Sequence, residues 1–314
     1  MLRSLVDRRP VAAATCRRRL GPASWTLACW LLATSLAVAS SHDRTRPQLP
    51  AAEQDRLTQR FERFVARMDE RQLGRVMQLN GNTEREDRFV ANEYSDYDLR
   101  VTRGPVIEKA GRMLTWGKQT NPGRGGGELR WGRFYSLDFH PRSPLVGMLH
   151  ATIVLQIYTD GSAQVGGWLG VMPGTRIEAD LAELRQVTDD WFAAHGKDPA
   201  LYRRLICKGT DDTVTRWRRR PACVGASFYG PPVYPASVTE SYAFIEGLFE
   251  RFVDRYLDIV ERRADEAWTA ADLAAQDEMR RRWLTDQLFS DPFASKIVPF
   301  EAWSFANMPP VVKF

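Results

Sequence analysis

The sequence predicts an α+β domain rather than an alternating β-α-β one. Short segments of strand-like alternation are grouped in the middle of the chain, and helical spacing of apolar residues brackets them; strands grouped apart from helices argue against a parallel crossover sheet. A β-hairpin across residues 151–168 is the strongest local feature. With 44% apolar and 11% aromatic residues among 314, the chain has enough apolar side chain for a substantial core, and its length beyond a leader fits one large domain or two small ones.

Residues 1–40 read as a leader. Arg3, Arg8, Arg9, Arg17, Arg18 and Arg19 stand against a single acid, Asp7, as in a mitochondrial presequence. The apolar run from Trp25 to Ala39, closing on Ala37-Val38-Ala39, reads instead as a signal-peptide core, and at about 15 residues it is short for a membrane span. In series the two parts suit sorting to the mitochondrial intermembrane space; export through a signal peptide is the alternative, and a misassigned start codon the bland one. Residues 41–54, with Pro47 and Pro50, read as a linker, and the domain is expected over 55–314.

Leu57, Phe61, Phe64, Val65 and Met68 recur at helical spacing among charges, which predicts an amphipathic helix with one buried face. From Phe89 to Thr115 the pattern shortens and alternates as strands do. Asn121 to Gly127 is rich in Pro and Gly but lacks a Gly-Lys-Ser/Thr ending, so it reads as a flexible loop and not a phosphate cradle. Ala151 to Tyr158 is β-branched and apolar, Thr159-Asp160-Gly161-Ser162 supplies turn chemistry, and Ala163 to Trp168 returns. Glu178 to Phe192 is expected to be helical. Phe244, Leu248, Phe252, Val253, Leu257 and Val260 trace a long amphipathic helix, Ser241 to Arg263, and a further helix is expected to start at Thr269 with Asp272 reaching back as in a capping box.

The formal charge of +5 invites a nucleic-acid reading, but it belongs to the leader: beyond residue 40, 38 basic residues balance 38 acidic ones. No global attraction for phosphates remains. The local run Arg216, Arg218, Arg219 and Arg220 around Trp217 reads as a solvated loop, with a carboxylate or phosphate contact as the alternative. Cys16 and Cys29 fall in the leader, while Cys207 and Cys223 form neither a Cys-x-x-Cys nor a Cys/His array. The expectation is two buried thiols, with no zinc site and no disulfide framework. Histidines are scarce: His42, His140, His150 and His195. His140 and His150 bracket Pro141-Arg142-Ser143-Pro144, and His150 immediately precedes the first hairpin strand, where an imidazole suits an acid or base near neutral pH; the alternative reading of each is a structural histidine. No Ser-His-Asp or paired-carboxylate motif stands out.

His140-Pro141-Arg142-Ser143-Pro144 with His150 downstream resembles the His-Pro-Arg-Asn-Pro segment and following histidine of the oxygen-dependent coproporphyrinogen III oxidases. Val106-Ile107-Glu108-Lys109-Ala110-Gly111 resembles that family's Val-Phe-Glu-Lys-Ala-Gly. Arg255-Tyr256-Leu257-Asp258-Ile259-Val260-Glu261-Arg262-Arg263 is similar to its Ala-Tyr-Leu-Pro-Ile-Val-Glu-Arg-Arg, and Met308-Pro309-Pro310-Val311-Val312-Lys313-Phe314 to its terminal Pro-Pro block. All four occur in family order across roughly residues 55–314.

The resemblance implies a homodimeric oxidoreductase of porphyrin and haem biosynthesis, a single domain whose large antiparallel sheet is flanked on both faces by helices. It implies conversion of coproporphyrinogen III to protoporphyrinogen IX by oxidative decarboxylation of two propionates, with dioxygen as co-substrate and no organic cofactor. His150 matches the proton donor, Ser136 a substrate contact, and Arg142 and Thr152 lie in the same matched segments as further substrate contacts. His140 matches a metal ligand of bacterial members. No nucleic acid and no stable membrane span is expected.

Departures fall at reactive positions. Where the family has Met-Asn-Val-Arg after the histidine, this chain has Ala151-Thr152-Ile153-Val154, so an arginine suited to a propionate is lost. Gly-Gly-Gly-x-Asp-Leu-Thr-Pro becomes Gly166-Gly167-Trp168-Leu169-Gly170-Val171-Met172-Pro173, with Gly170 at the aspartate. Phe300 replaces a late arginine, and the metal-binding His-x-His becomes Glu183-Leu184-Arg185, which does not suit a divalent metal. Arg176, Arg185 and Arg218 are the candidate replacement cations. The alternative function is a catalytically impaired pseudoenzyme that binds a tetrapyrrole or pairs with an active relative.

Overall fold

Seven strands form one antiparallel sheet in the order β1 to β7: β1 Arg85–Ala91, β2 Ser95–Thr102, β3 Ile107–Gly117, β4 Leu129–Pro141, β5 Met148–Tyr158, β6 Ala163–Met172 and β7 Ala226–Ser227. The computed structural model describes residues 47–120, 127–207, 220–289 and 297–314, all within one compact unit that ends at Phe314. The leader, His42, most of the 121–127 loop, and Arg216 to Arg219 with Trp217 lie outside those residues. The β5–β6 turn works as its residue types require. Gly161 adopts a φ of +82°, and the Asp160 carboxylate accepts from the Ser162 amide at 2.8 Å.

Strand alternation gives the sheet two faces. One presents Tyr135, Leu137 and Phe139 of β4 and Ala151, Ile153 and Leu155 of β5 to α1 (Ala51–Met68) and α5 (Val238–Arg262), forming the main core. Phe64 joins these layers, with ring centroids 5.6 Å from Tyr135 and 5.3 Å from Phe249. Helix α3 (Glu178–Ala194) packs outside α5 through Leu181, Leu184 and Phe192. Helix α1 starts at Ala51, Leu49 is buried, and the Leu49 amide bonds the Gly161 carbonyl at 2.9 Å. The expected linker therefore ends earlier than residue 54, because its last residues are drawn into the core.

A π-helical turn, Asp69–Leu73, follows α1 and leads into α2 (Gly74–Leu79). It aims Asp69 at the sheet. That carboxylate accepts from Arg100 Nη1 at 2.7 Å, from Arg112 Nε and Nη2 at 3.0 and 2.7 Å, and from the Tyr135 hydroxyl at 3.1 Å.

The opposite face of the sheet is covered by α6 (Ala270–Phe289) and α7 (Phe300–Ala306). Helix α6 begins as the capping box predicts: Thr269 N donates to Asp272 Oδ2 at 2.8 Å, and Asp272 N to Thr269 Oγ1 at 3.3 Å. Gly111 of β3 lets α7 approach, since a Cβ there would collide with the Ala306 carbonyl. Among the described residues no helix is long and apolar enough to cross a membrane.

The expectation of two free thiols is overturned. Cys207 closes α4 (Ala200–Cys207), and it is disulfide-bonded to Cys223, with Cα atoms 5.3 Å apart. The pair meets because the chain returning to β7 runs along the β6 edge, where the Ala222 amide bonds the Val171 carbonyl at 2.9 Å. Sixteen residues of separation gave no local cue. Loop-closure entropy for such a span predicts that removing the bridge costs about 2–4 kcal/mol. A Cys207→Ser, Cys223→Ser double variant should melt several degrees lower than the non-reduced parent. Four reactive thiols in the unfolded, non-reduced parent, in place of the two of Cys16 and Cys29, would contradict the bridge.

Candidate active site

The register of β3 to β6 assembles a polar patch on the α6/α7 face. Ser136, Asp138 and His140 alternate along β4; Ser136 lies opposite Thr152, and Asp138 opposite His150. Lys109 of β3 faces His140, while Trp168 and Gly170 of β6 face Thr152 and His150. Ser136, His140, His150 and Thr152 are thus brought together on one face. Arg142 is not among them: it sits on the exposed turn after β4.

His150 Nδ1 donates to Asp138 Oδ1 at 2.8 Å. Asp138 is fully buried, and its second oxygen accepts from Asn307 Nδ2. A carboxylate at Nδ1 leaves Nε2 as the basic nitrogen and supports the ring once it takes a proton, the two properties required of a reversible acid and base. The imidazole packs against Trp283 with centroids 5.0 Å apart, and its side chain is 14% exposed, so the ring remains reachable.

His140 plays a different part. It is buried, its Nε2 donates to the Asn307 carbonyl at 3.3 Å, and Nδ1 has no partner among the described residues. Burial, with Lys109 and Arg280 nearby, holds its pKa well below the ordinary histidine range, so the ring stays neutral. Those two cations make poor company for a metal ion. Glu183 and Arg185 lie on α3, which packs on the opposite face, and among the described residues no group of three or more His, Cys, Asp or Glu is placed to hold a metal.

Lys109 is buried and donates to the carbonyls of Ser304 at 3.1 Å and Met308 at 2.6 Å, tying the C-terminal segment to β3. Burial, then repulsion from Arg103, lowers its pKa to about 7, against weaker upward pulls from Asp138 and Glu86. A neutral amine still carries two N–H donors for the two carbonyls. Because the unfolded chain holds this proton up to about pH 10.4, unfolding takes up a proton between pH 7 and 10. Stability from this group is expected to rise with pH across that window and to be flat below it. Urea unfolding of the parent and a Lys109→Met variant should reveal the difference; parallel pH profiles would contradict it.

The Ser136 hydroxyl is buried without a partner among the described residues, a group that costs about 1–3 kcal/mol unless a bound molecule satisfies it. Thr152 Oγ1 hydrogen-bonds the Tyr229 hydroxyl at 2.8 Å, and the half-exposed Tyr229 ring lies across Gly166. Further along the same face, Tyr97, Thr115, Phe134, Val154 and Gln156 line a small pocket of about 30 Å³, with Arg133 its one cation among the described residues. Arg133 bonds Glu62 at 3.1 Å.

Val154, Gly170 and Phe300, the departures from the resembled motifs, fall in three different settings. Val154 is buried with Phe134, Met113, Val298 and Trp303 in an apolar cluster. A Cβ at Gly170 would stand 2.7 Å from Trp168 Nε1 and 2.8 Å from Ile206 Cδ1, so that place is already filled. Phe300 is 63% exposed on α7. Of the candidate replacement cations, Arg176 pairs with Glu178 at 2.8 Å, Arg185 is exposed on α3, and Arg218 lies outside the described residues. Neither described one reaches the patch.

Asp138, Asn307, Trp283 and Tyr229 were not singled out from sequence. Only Asp138 had a signal, its strand alternation with Ser136 and His140. Compared with models of known protein families, the chain matches none.

Proposed function

We propose that this chain is a divergent coproporphyrinogen III oxidase-like protein that turns two propionates of coproporphyrinogen III into the vinyls of protoporphyrinogen IX. Each propionate loses carbon dioxide, and dioxygen accepts the electrons. His150 moves the proton, Asp138 orients it, and Ser136 and Thr152 face the substrate. The observation that carries this reading is the register that stacks Ser136, Thr152 and His150 on one covered face, with His150 bonded to a buried carboxylate. A helix-flanked antiparallel sheet supports the same reading, as the arrangement that the resemblance implies. The disulfide suits an oxidising compartment, as either the intermembrane space or export would supply.

The test is anaerobic incubation of the purified protein with coproporphyrinogen III, followed by oxygen. Protoporphyrinogen IX should form only after oxygen is admitted. No product under conditions in which an established oxidase works would overturn the proposal.

A second reading, a tetrapyrrole-binding pseudoenzyme, is favoured by the apolar burial of Val154 and the filled place at Gly170, which leave few cations for propionates. Tight binding of coproporphyrin III without conversion of the porphyrinogen would select it.

A further inference from the structure

We infer that Asn307 is a positioning residue for His150, acting through Asp138; this rests on the reading of His150 as the proton-transfer group. Asp138 is fully buried and spends one oxygen on His150 Nδ1. With that bond alone, the carboxylate plane is free to turn about its Cβ–Cγ bond, and the imidazole turns with it. The Asn307 amide on the second oxygen fixes the plane, and with it the ring orientation and the Nδ1–H tautomer.

Asn307 is itself rigidly placed. Its amide nitrogen bonds the Trp303 carbonyl at 2.7 Å at the end of α7, and its own carbonyl accepts from Trp283 Nε1 at 3.1 Å and His140 Nε2 at 3.3 Å. Lys109 holds the carbonyls on either side, at Ser304 and Met308. Every one of these anchors uses main-chain atoms of the segment. The Asn307 side chain bonds Asp138 through Nδ2, and its Oδ1 has no partner among the described residues. Attachment of the C-terminal segment and orientation of Asp138 are therefore separable by changing the side chain.

Asn307→Leu removes the donor without adding charge, and Asn307→Ala removes it together with most of the side chain. Nitrogen-15 NMR of the histidine rings, without substrate, should find His150 as one Nδ1–H tautomer in the parent and as a mixture in both variants. Turnover of coproporphyrinogen III should fall about tenfold or more in kcat, with KM within about twofold and the thermal melt retained. Unchanged tautomer and kcat in either folded variant would overturn the inference. So would loss of the fold in both, which would make the side chain structural. If the parent makes no product, the oxidase reading fails while the tautomer measurement still decides the role of Asn307.

Discussion

His150→Asn is expected to slow formation of protoporphyrinogen IX by about 10²–10⁴-fold, the usual contribution of a positioned acid or base. Asparagine offers an N–H donor towards Asp138, so the buried carboxylate keeps a partner, while the nitrogen that titrates is lost. KM should stay within a few-fold of the parent's if His150 moves a proton and does not hold a propionate; its ring contacts Asp138 and Trp283. Initial rates of product formation after oxygen admission check this. A rate within threefold of the parent's would remove His150 from the chemistry.

Asp69→Ala is expected to cost about 1–3 kcal/mol of stability, because buried Arg112 and Tyr135 both lose a hydrogen-bond partner while Arg112 keeps the Asp98 carboxylate. Arg112 has no exposed side chain and spends Nε and Nη2 on Asp69, leaving Nη1 bonded to the Asp98 carbonyl at 2.8 Å and paired with its carboxylate at 3.0 Å. Tyr135 would also lose its partner, and burial together with Asp69 already pushes that phenol well above its ordinary range. The effect reaches the candidate site, because Tyr135 adjoins Ser136 on β4 and Arg112 adjoins Gly111 on β3. Urea unfolding gives the magnitude. An Asp69→Leu, Arg112→Met double variant should recover much of the loss, as replacement of a buried ion pair by apolar groups commonly does. A loss under about 1 kcal/mol for Asp69→Ala would show the network to be solvated.

Local pattern and tertiary placement divide what the sequence made legible. The β5–β6 hairpin, α3, α5 and the Thr269–Asp272 cap were readable because each depends on residues within one or two turns of one another. The burial of α1 was readable from its apolar stripe, whereas its start at Ala51 was not, because contacts with the distant β5–β6 turn set it. The disulfide escaped for the same reason: the β6 edge, not any local motif, brings Cys207 to Cys223.

The candidate site divides in the same way. Ser136, His140 and His150 carried motif signals, and the β4–β5 register then placed them on one face. Asp138 could be assigned to that face by alternation, but its pairing with His150 required the register. Asn307 lies 169 residues from Asp138 and reaches it only because Gly111 lets α7 settle on the sheet. Packing keeps Arg176 and Arg185 away from the face that carries His150. Trp168, Ile206 and the cluster around Val154 occupy the space that charged side chains would need.

The central claim, that a tetrapyrrole is handled on the α6/α7 face of the sheet at His150, is tested most directly by hydrogen exchange with and without saturating coproporphyrin III. Protection is expected in Ser136–His140, His150–Val154 and the covering segment Val298–Phe314. Protection confined to α1 and α5 on the opposite face, or none in the presence of bound porphyrin, would contradict it.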